Sequence, residues 1–285
     1  MKLSIPFKFL CAALCAGGLG PGAQRTAAAV VYNPGDLLLG FHATAGTGAN
    51  ASYVFNLGPA HEYRTNPTQL VTSNNLSVDL SATFGAGWFG RTDLFWGIAA
   101  VRDPAGSGPN TVVNGDPRAA IYISKETISP ATSLAWDLPA DGGDPTKSSP
   151  TISVANSISG MQIAFTGRTE TATSGGRGTV QLEDATINSW DEYNPIPNGA
   201  AFGGILTGGV QASLGGGTLE YLDLYRVLGR TSASATPDSG AGDGVYVTTF
   251  SINAAGLVTA VPEPTSALLL GLGVAVSALR RRRNA

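Results

Sequence analysis

Residues 36–57 read DLLLGFHATAGTGANASYVFNL. Two apolar runs, Asp36–Thr44 and Ser52–Leu57, flank a stretch of small residues that contains Gly46 and Gly48. Runs of this length, bounded by turn residues, predict strands joined by a short connection. The pattern recurs at Asp93–Val101, Ala120–Ser124, Thr179–Leu182, Leu219–Leu228 and Val245–Ile252, with Gly, Asn, Asp and Pro clusters between. Several of these alternate apolar and polar residues, as half-buried antiparallel strands do. VYVTTFSI and LVTAV are separated by Asn253-Ala254-Ala255-Gly256, which predicts a hairpin. Thr151–Phe165 is the exception: Ile152, Ala155, Ile158, Met161 and Phe165 recur every three or four residues and predict a short helix.

The expected fold is mainly β, an antiparallel β-sandwich or jelly roll with one or two short helices. Leu138–Pro150 and Thr231–Gly244 have the composition of flexible connections. Strands on both sides of the first favour one domain with long loops over two lobes. With 38 Gly and 17 Pro but only 13% charged residues, the composition also favours turns and short strands.

Net charge is −3, but its distribution is uneven. Residues 30–264 hold all 20 acidic side chains and 10 of the 17 basic ones. Such an acidic body argues against nucleic acid and anionic membrane surfaces as partners. Most of the other basic residues lie at the two ends. Lys2 and Lys8 precede the apolar run Phe9–Leu19, and Ala27-Ala28-Ala29 follows, the pattern of a secretory signal peptide over residues 1–29. Both cysteines, Cys11 and Cys15, fall inside it, so residues 30–285 have no thiol chemistry and rely on core packing.

The C-terminal 25 residues read VPEPTSALLLGLGVAVSALRRRRNA. Thr265–Leu279 carries no charge. As a helix it spans roughly 22 Å at about 1.5 Å per residue, short of a hydrocarbon core of about 30 Å. Snorkelling arginines recover part of the difference, giving a marginal transmembrane helix. Short basic flanks stay cytoplasmic, so Arg280, Arg281, Arg282 and Arg283 act as a stop and fix the orientation, with residues 30–264 outside the inner membrane.

Pro262-Glu263-Pro264, then the apolar segment, then Arg280–Arg283 resembles the PEP-CTERM sorting signal of exported proteins in Gram-negative, exopolysaccharide-producing bacteria. The resemblance implies that an exosortase, a membrane-embedded cysteine-type transpeptidase, recognises Pro262, Glu263 and Pro264 and processes the chain there. It divides the chain into a signal peptide (1–29), an extracellular domain (30–260) and a sorting signal (261–285). Gly35–Gly58 and Ser77–Gly97 are similar to stretches of PEP-CTERM ectodomains of unknown function. The resemblance implies an address and no activity. The expectation is a transiently anchored protein that ends at the cell surface or in the extracellular matrix of a biofilm. There it would be structural or adhesive, or alternatively a carbohydrate-binding β-sandwich, Ca²⁺-dependent or not, with exopolysaccharide as partner; a hydrolase is the third alternative.

A search for catalytic chemistry yields little, and a non-enzyme is expected. Gly85-Ala86-Gly87-Trp88-Phe89-Gly90 matches a dinucleotide fingerprint, but RTDLFWGIAA after it predicts a strand, so a glycine-rich hairpin loop is expected instead. His61-Glu62 lacks the second histidine of a zincin, and His42 alternates with Phe41 on a predicted strand as a solvent-facing or packed residue. No G-x-S-x-G or P-loop occurs. The carboxylate pairs Glu183/Asp184, Asp191/Glu192 and Glu220/Asp223 are expected to be solvated surface rather than a glycosidase dyad. Two acidic glycine-rich loops, Asp141–Asp144 and Asp238–Asp243, are weak Ca²⁺ candidates that fit neither EF-hand nor RTX spacing. No other cofactor is expected. Trp88, Trp96, Trp136 and Trp190 are assigned to core before any sugar-stacking role.

Overall fold

The computed structural model describes residues 28–66, 76–102, 112–117, 120–127, 149–171, 173–183, 187–193, 210–215, 217–227 and 244–261. In it, DLLLGFHA forms β1 (Asp36–Ala43), and all eight residues are buried. Alternating side chains of a strand point to opposite faces. Leu37, Leu39, Phe41 and Ala43 enter one core and Leu38 enters another. A strand with both faces covered reads as an unbroken apolar run, which is why this stretch decides the architecture.

The other strands are β2 (Ala51–Pro59), β3 (Leu94–Val101), β4 (Ile121–Thr127), β5 (Gly178–Leu182), β6 (Gln211–Ser213), β7 (Leu219–Val227), β8 (Gly244–Asn253) and β9 (Val258–Val261). They form one antiparallel sheet in the order β5-β2-β1-β3-β4-β7-β8-β9, with β6 also on β3, curled into a half-barrel. The expected sandwich or jelly roll is therefore corrected. Among the described residues it is helices, on both faces, that take the place of a second sheet. On one face α1 (Ala60–Thr65), α2 (Ser77–Phe84) and the 3-10 turn Trp88–Gly90 pack Tyr63, Leu80, Phe84 and Trp88 against Phe55, Trp96 and Phe250. On the other, α3 (Ser149–Phe165) and α4 (Trp190–Tyr193) pack Ala155, Ile158, Met161, Phe165 and Trp190 against Ile121, Ile123 and Tyr225.

Helix content also exceeds the expectation of one or two short helices. The periodic segment at 151–165 lies within the 17-residue α3. Helices α1, α2 and α4 have 6, 8 and 4 residues, too few for a period of 3.6 to show. The glycine-rich segment after Phe84 is not a hairpin. Gly85, at φ 93°, ends α2, and Gly87 precedes the 3-10 turn that leads into β3. The hairpin at Asn253–Gly256 does form, closed by the Gly256 N–H donating to the Asn253 carbonyl at 2.8 Å.

The sheet forks at Ser124. β4 pairs with β3 only along Ala99–Val101, and β6 takes the same edge along Phe95–Gly97. At the branch the Ile98 N–H donates to Ser124 Oγ at 2.7 Å, and the Ser124 hydroxyl donates to the Val210 carbonyl at 2.6 Å. One hydroxyl thus replaces the ladder bond lost where the strands diverge. The β1–β2 loop is held by Arg91. Its guanidinium donates to the carbonyls of Ala45 (2.6 Å), Thr47 (2.6 Å) and Phe84 (2.8 Å), and pairs with Asp93 at 2.7 Å.

Candidate functional site

A buried polar cluster built by several elements lies beneath α4. Register sets it up. Gln181, Ser52, His42, Phe95 and Ser213 are successive partners across β5, β2, β1, β3 and β6. Directly opposed residues share a face, so all five point to the α3/α4 side. One row along lie Val54, Gly40, Gly97 and Gln211. The two glycines create a flat floor on which the Trp190 indole lies. A Cβ at Gly40 would fall 1.9 Å from Trp190 Cδ2, and one at Gly97 would fall 3.2 Å from Cζ2. The glutamines grip the same residue: the Trp190 N–H donates to Gln181 Oε1 and its Nε1–H to Gln211 Oε1, both at 3.2 Å.

His42 sits at the centre, 3% exposed, with Gln211 as a side-chain hydrogen-bond partner. Burial pulls its pKa down to about 4, against the opposing influence of the Asp191 carboxylate and the Gln211 hydrogen bond. The ring is therefore neutral at physiological pH. Its Nε2 and the Ser52 hydroxyl oxygen, on the residue directly opposite, are buried without hydrogen-bond partners. Serine, imidazole and carboxylate thus approach one another from β2, β1 and α4, the residue types of a nucleophilic relay. A relay needs the nucleophile bonded to the base and a reacting group beside both. Here Ser52 is 0% exposed, its Oγ is unbonded, and Trp190 lies over the neighbouring glycine row. As it stands, the arrangement clamps α4 to the sheet with a neutral polar layer.

Other buried carboxylates are likewise consumed by the fold. Asp79, on α2, accepts from Tyr53 Oη (2.9 Å), from Thr171 Oγ1 (2.6 Å) and from the Thr173 hydroxyl. Asp116 Oδ1 accepts from Arg64 (2.5 Å) and Arg226 (2.7 Å), and its Oδ2 from the Tyr122 hydroxyl (2.9 Å). Burial raises the Asp223 pKa, and Thr249 donates to it at 2.5 Å.

Of the carboxylate pairs singled out in the sequence, Glu220 and Asp223 are three apart on one strand and therefore face opposite sides. The carboxylate acting on Glu220's side is Glu126, whose pKa is raised by burial and then by Glu220. Asp191 and Glu192 turn inward on their own loop, accepting from the Ser189 hydroxyl and the Asn188 N–H respectively. Asp184 lies outside the described residues. His61 lies 3.4 Å from the Asn114 side chain. Trp88, Trp96 and Trp190 are at most 2% exposed, so they are core and form no stacking platform. Trp136, the Ca²⁺ candidates Asp141, Asp144, Asp238 and Asp243, and the terminal residues Pro262–Pro264 and Arg280–Arg283 lie outside the described residues. Among the described residues no group of three metal-binding side chains occurs, and no helix is long and apolar enough to cross a membrane.

The described chain ends in β9, whose last residue, Val261, pairs with Thr249. The family model of the PEP-CTERM protein-sorting motif matches residues 260–283, beginning inside that strand. The chain carries a PEP-CTERM sorting motif. PEP-CTERM proteins are sorted to the exterior by this C-terminal signal. The motif points to export and membrane passage in Gram-negative bacteria and implies processing by an exosortase-type enzyme. Searches of curated proteins and of solved structures returned no match to this chain.

Proposed function

We propose that this PEP-CTERM protein is an exported structural or adhesive component of the cell surface or extracellular matrix, and that the curled sheet itself is the exported cargo. One observation carries this reading: the sorting motif begins at residue 260, within β9, so signal and sheet are continuous. In the same reading residues 1–29 direct export. Thr265–Leu279 holds the protein transiently in the inner membrane, and Pro262–Pro264 is the processing point. The buried carboxylates Asp79, Asp116 and Asp223 are spent on internal contacts, which suits a protein that works by being present rather than by turning over a substrate.

Deleting Arg280–Arg283, or separately Pro262–Pro264, is expected to shift the protein between membrane, surface and secreted fractions. Identical fractionation of intact and deleted chains would sink the sorting role. Adhesion is tested by pull-down on exopolysaccharide. Retention supports an adhesive role, and its absence leaves the structural one.

A further inference from the structure

β9 runs antiparallel to β8 and ends with Val261 opposite Thr249. The chain therefore leaves the sheet toward the Gly244 end of β8. Three residues, Pro262, Glu263 and Pro264, separate Val261 from Thr265, where the uncharged run begins. Four residue steps span at most about 14 Å. Along β8 the four steps from Thr249 back to Val245 cover about 13 Å. Thr265 can therefore lie no more than about 14 Å from Val261, whatever the path between them. A leaflet's headgroup layer is only about 5–8 Å thick. Tail insertion thus leaves no room for the domain to stand clear of the membrane.

The side chains at that end suit the encounter. Val245 is 49% exposed, and Val112 and Val113 are 61% and 46% exposed. The turn holding Val113 is brought to the level of Val245 by Arg226, the register partner of Val245. The Arg226 Nε–H donates to Asp116 Oδ1 at 2.7 Å and its Nη2–H to the Gly115 carbonyl at 2.5 Å. Arg64 binds the same carboxylate. Shallow apolar side chains at the end where the tail departs match the interfacial layer of a bilayer. The opposite end exposes Leu219 (41%) and Leu257 (39%), equally apolar, but the chain departs away from it.

We propose that the end of the sheet bearing Val112, Val113 and Val245 rests on the bilayer surface while the tail is inserted. This rests on the membrane reading of the tail given above. The test uses the full chain with Cys11→Ser and Cys15→Ser, and single cysteines introduced as Val113→Cys, Val245→Cys, Leu219→Cys, Leu257→Cys or Leu269→Cys. Each carries an environment-sensitive dye and is reconstituted in phosphatidylethanolamine–phosphatidylglycerol vesicles containing spin-labelled lipid. The expected result is quenching by acyl-chain labels at 269, quenching and a blue shift by headgroup-level labels at 113 and 245, and neither at 219 and 257. Quenching at 269 with no difference among the four domain positions would overturn the bilayer contact and leave the anchor standing. No quenching at 269 would overturn the anchor and the contact together.

Discussion

Gly40 and Gly97 have no side chain so that Trp190 can have a large one. Gly40→Ala places a methyl group inside the indole and is expected to cost more than about 2 kcal/mol by overpacking. Urea denaturation measures it. In a double-mutant cycle with Trp190→Ala the two costs should fall short of additive, since removing the indole removes the clash. His42 gives a pH signature. Its folded pKa, about 4, lies below the ordinary 6.5, so between those values the unfolded chain binds the extra proton. Stability is therefore complete above pH 6.5 and falls as the pH drops toward 4, by about 3 kcal/mol for this group. The His42→Gln variant should lack that slope, so the slope appears in the difference between the two stability curves. Parallel curves would show that the ring is solvated.

At the scale of elements, the fork and the carboxylate hub are the points where one residue holds several segments. Ser124→Ala leaves the Ile98 N–H and the Val210 carbonyl without their shared partner, an expected cost of about 1–3 kcal/mol. Faster hydrogen exchange at the Ile98 amide, ahead of global unfolding, would localise the effect. Asp116→Asn sets Arg64 and Arg226 against each other beneath Tyr122, and about 3 kcal/mol of destabilisation is expected in thermal or denaturant unfolding. Eight of the nine strands were legible in the sequence because each carries an apolar run or an alternation bounded by turn residues. β6 was not, because three residues, Gln211–Ser213, carry no period. The cluster under α4 was equally hidden. His42 and Ser52 are ten residues from each other, but Gln181, Trp190 and Gln211 join them only through strand register. One signal was available. Glycine inside a strand marks a close approach, and both LLLGFHA and FWGIAA contain one.

For the whole molecule, the sheet unites strands from both sides of the flexible-composition segment at 138–150, with β4 beside β7 and β5 beside β2. One core lies on each face, and both are built on the same strands. Unfolding is therefore expected as a single transition, with tryptophan fluorescence and far-ultraviolet circular dichroism coinciding. Two separated transitions would mean independent lobes.

β9 also determines how load enters the protein. Whatever pulls on the tail pulls first on Val261, and β9 is joined to β8 by four register pairs, Val258 to Ile252 through Val261 to Thr249. A pull along the strand loads those pairs together in shear, whereas a pull away from the sheet opens them one after another from Val261. This four-residue edge strand is thus the mechanical fuse of the fold. Under drag a tethered domain would lose β9 first, baring the β8 edge, long before the doubly covered strands β1–β3 yield.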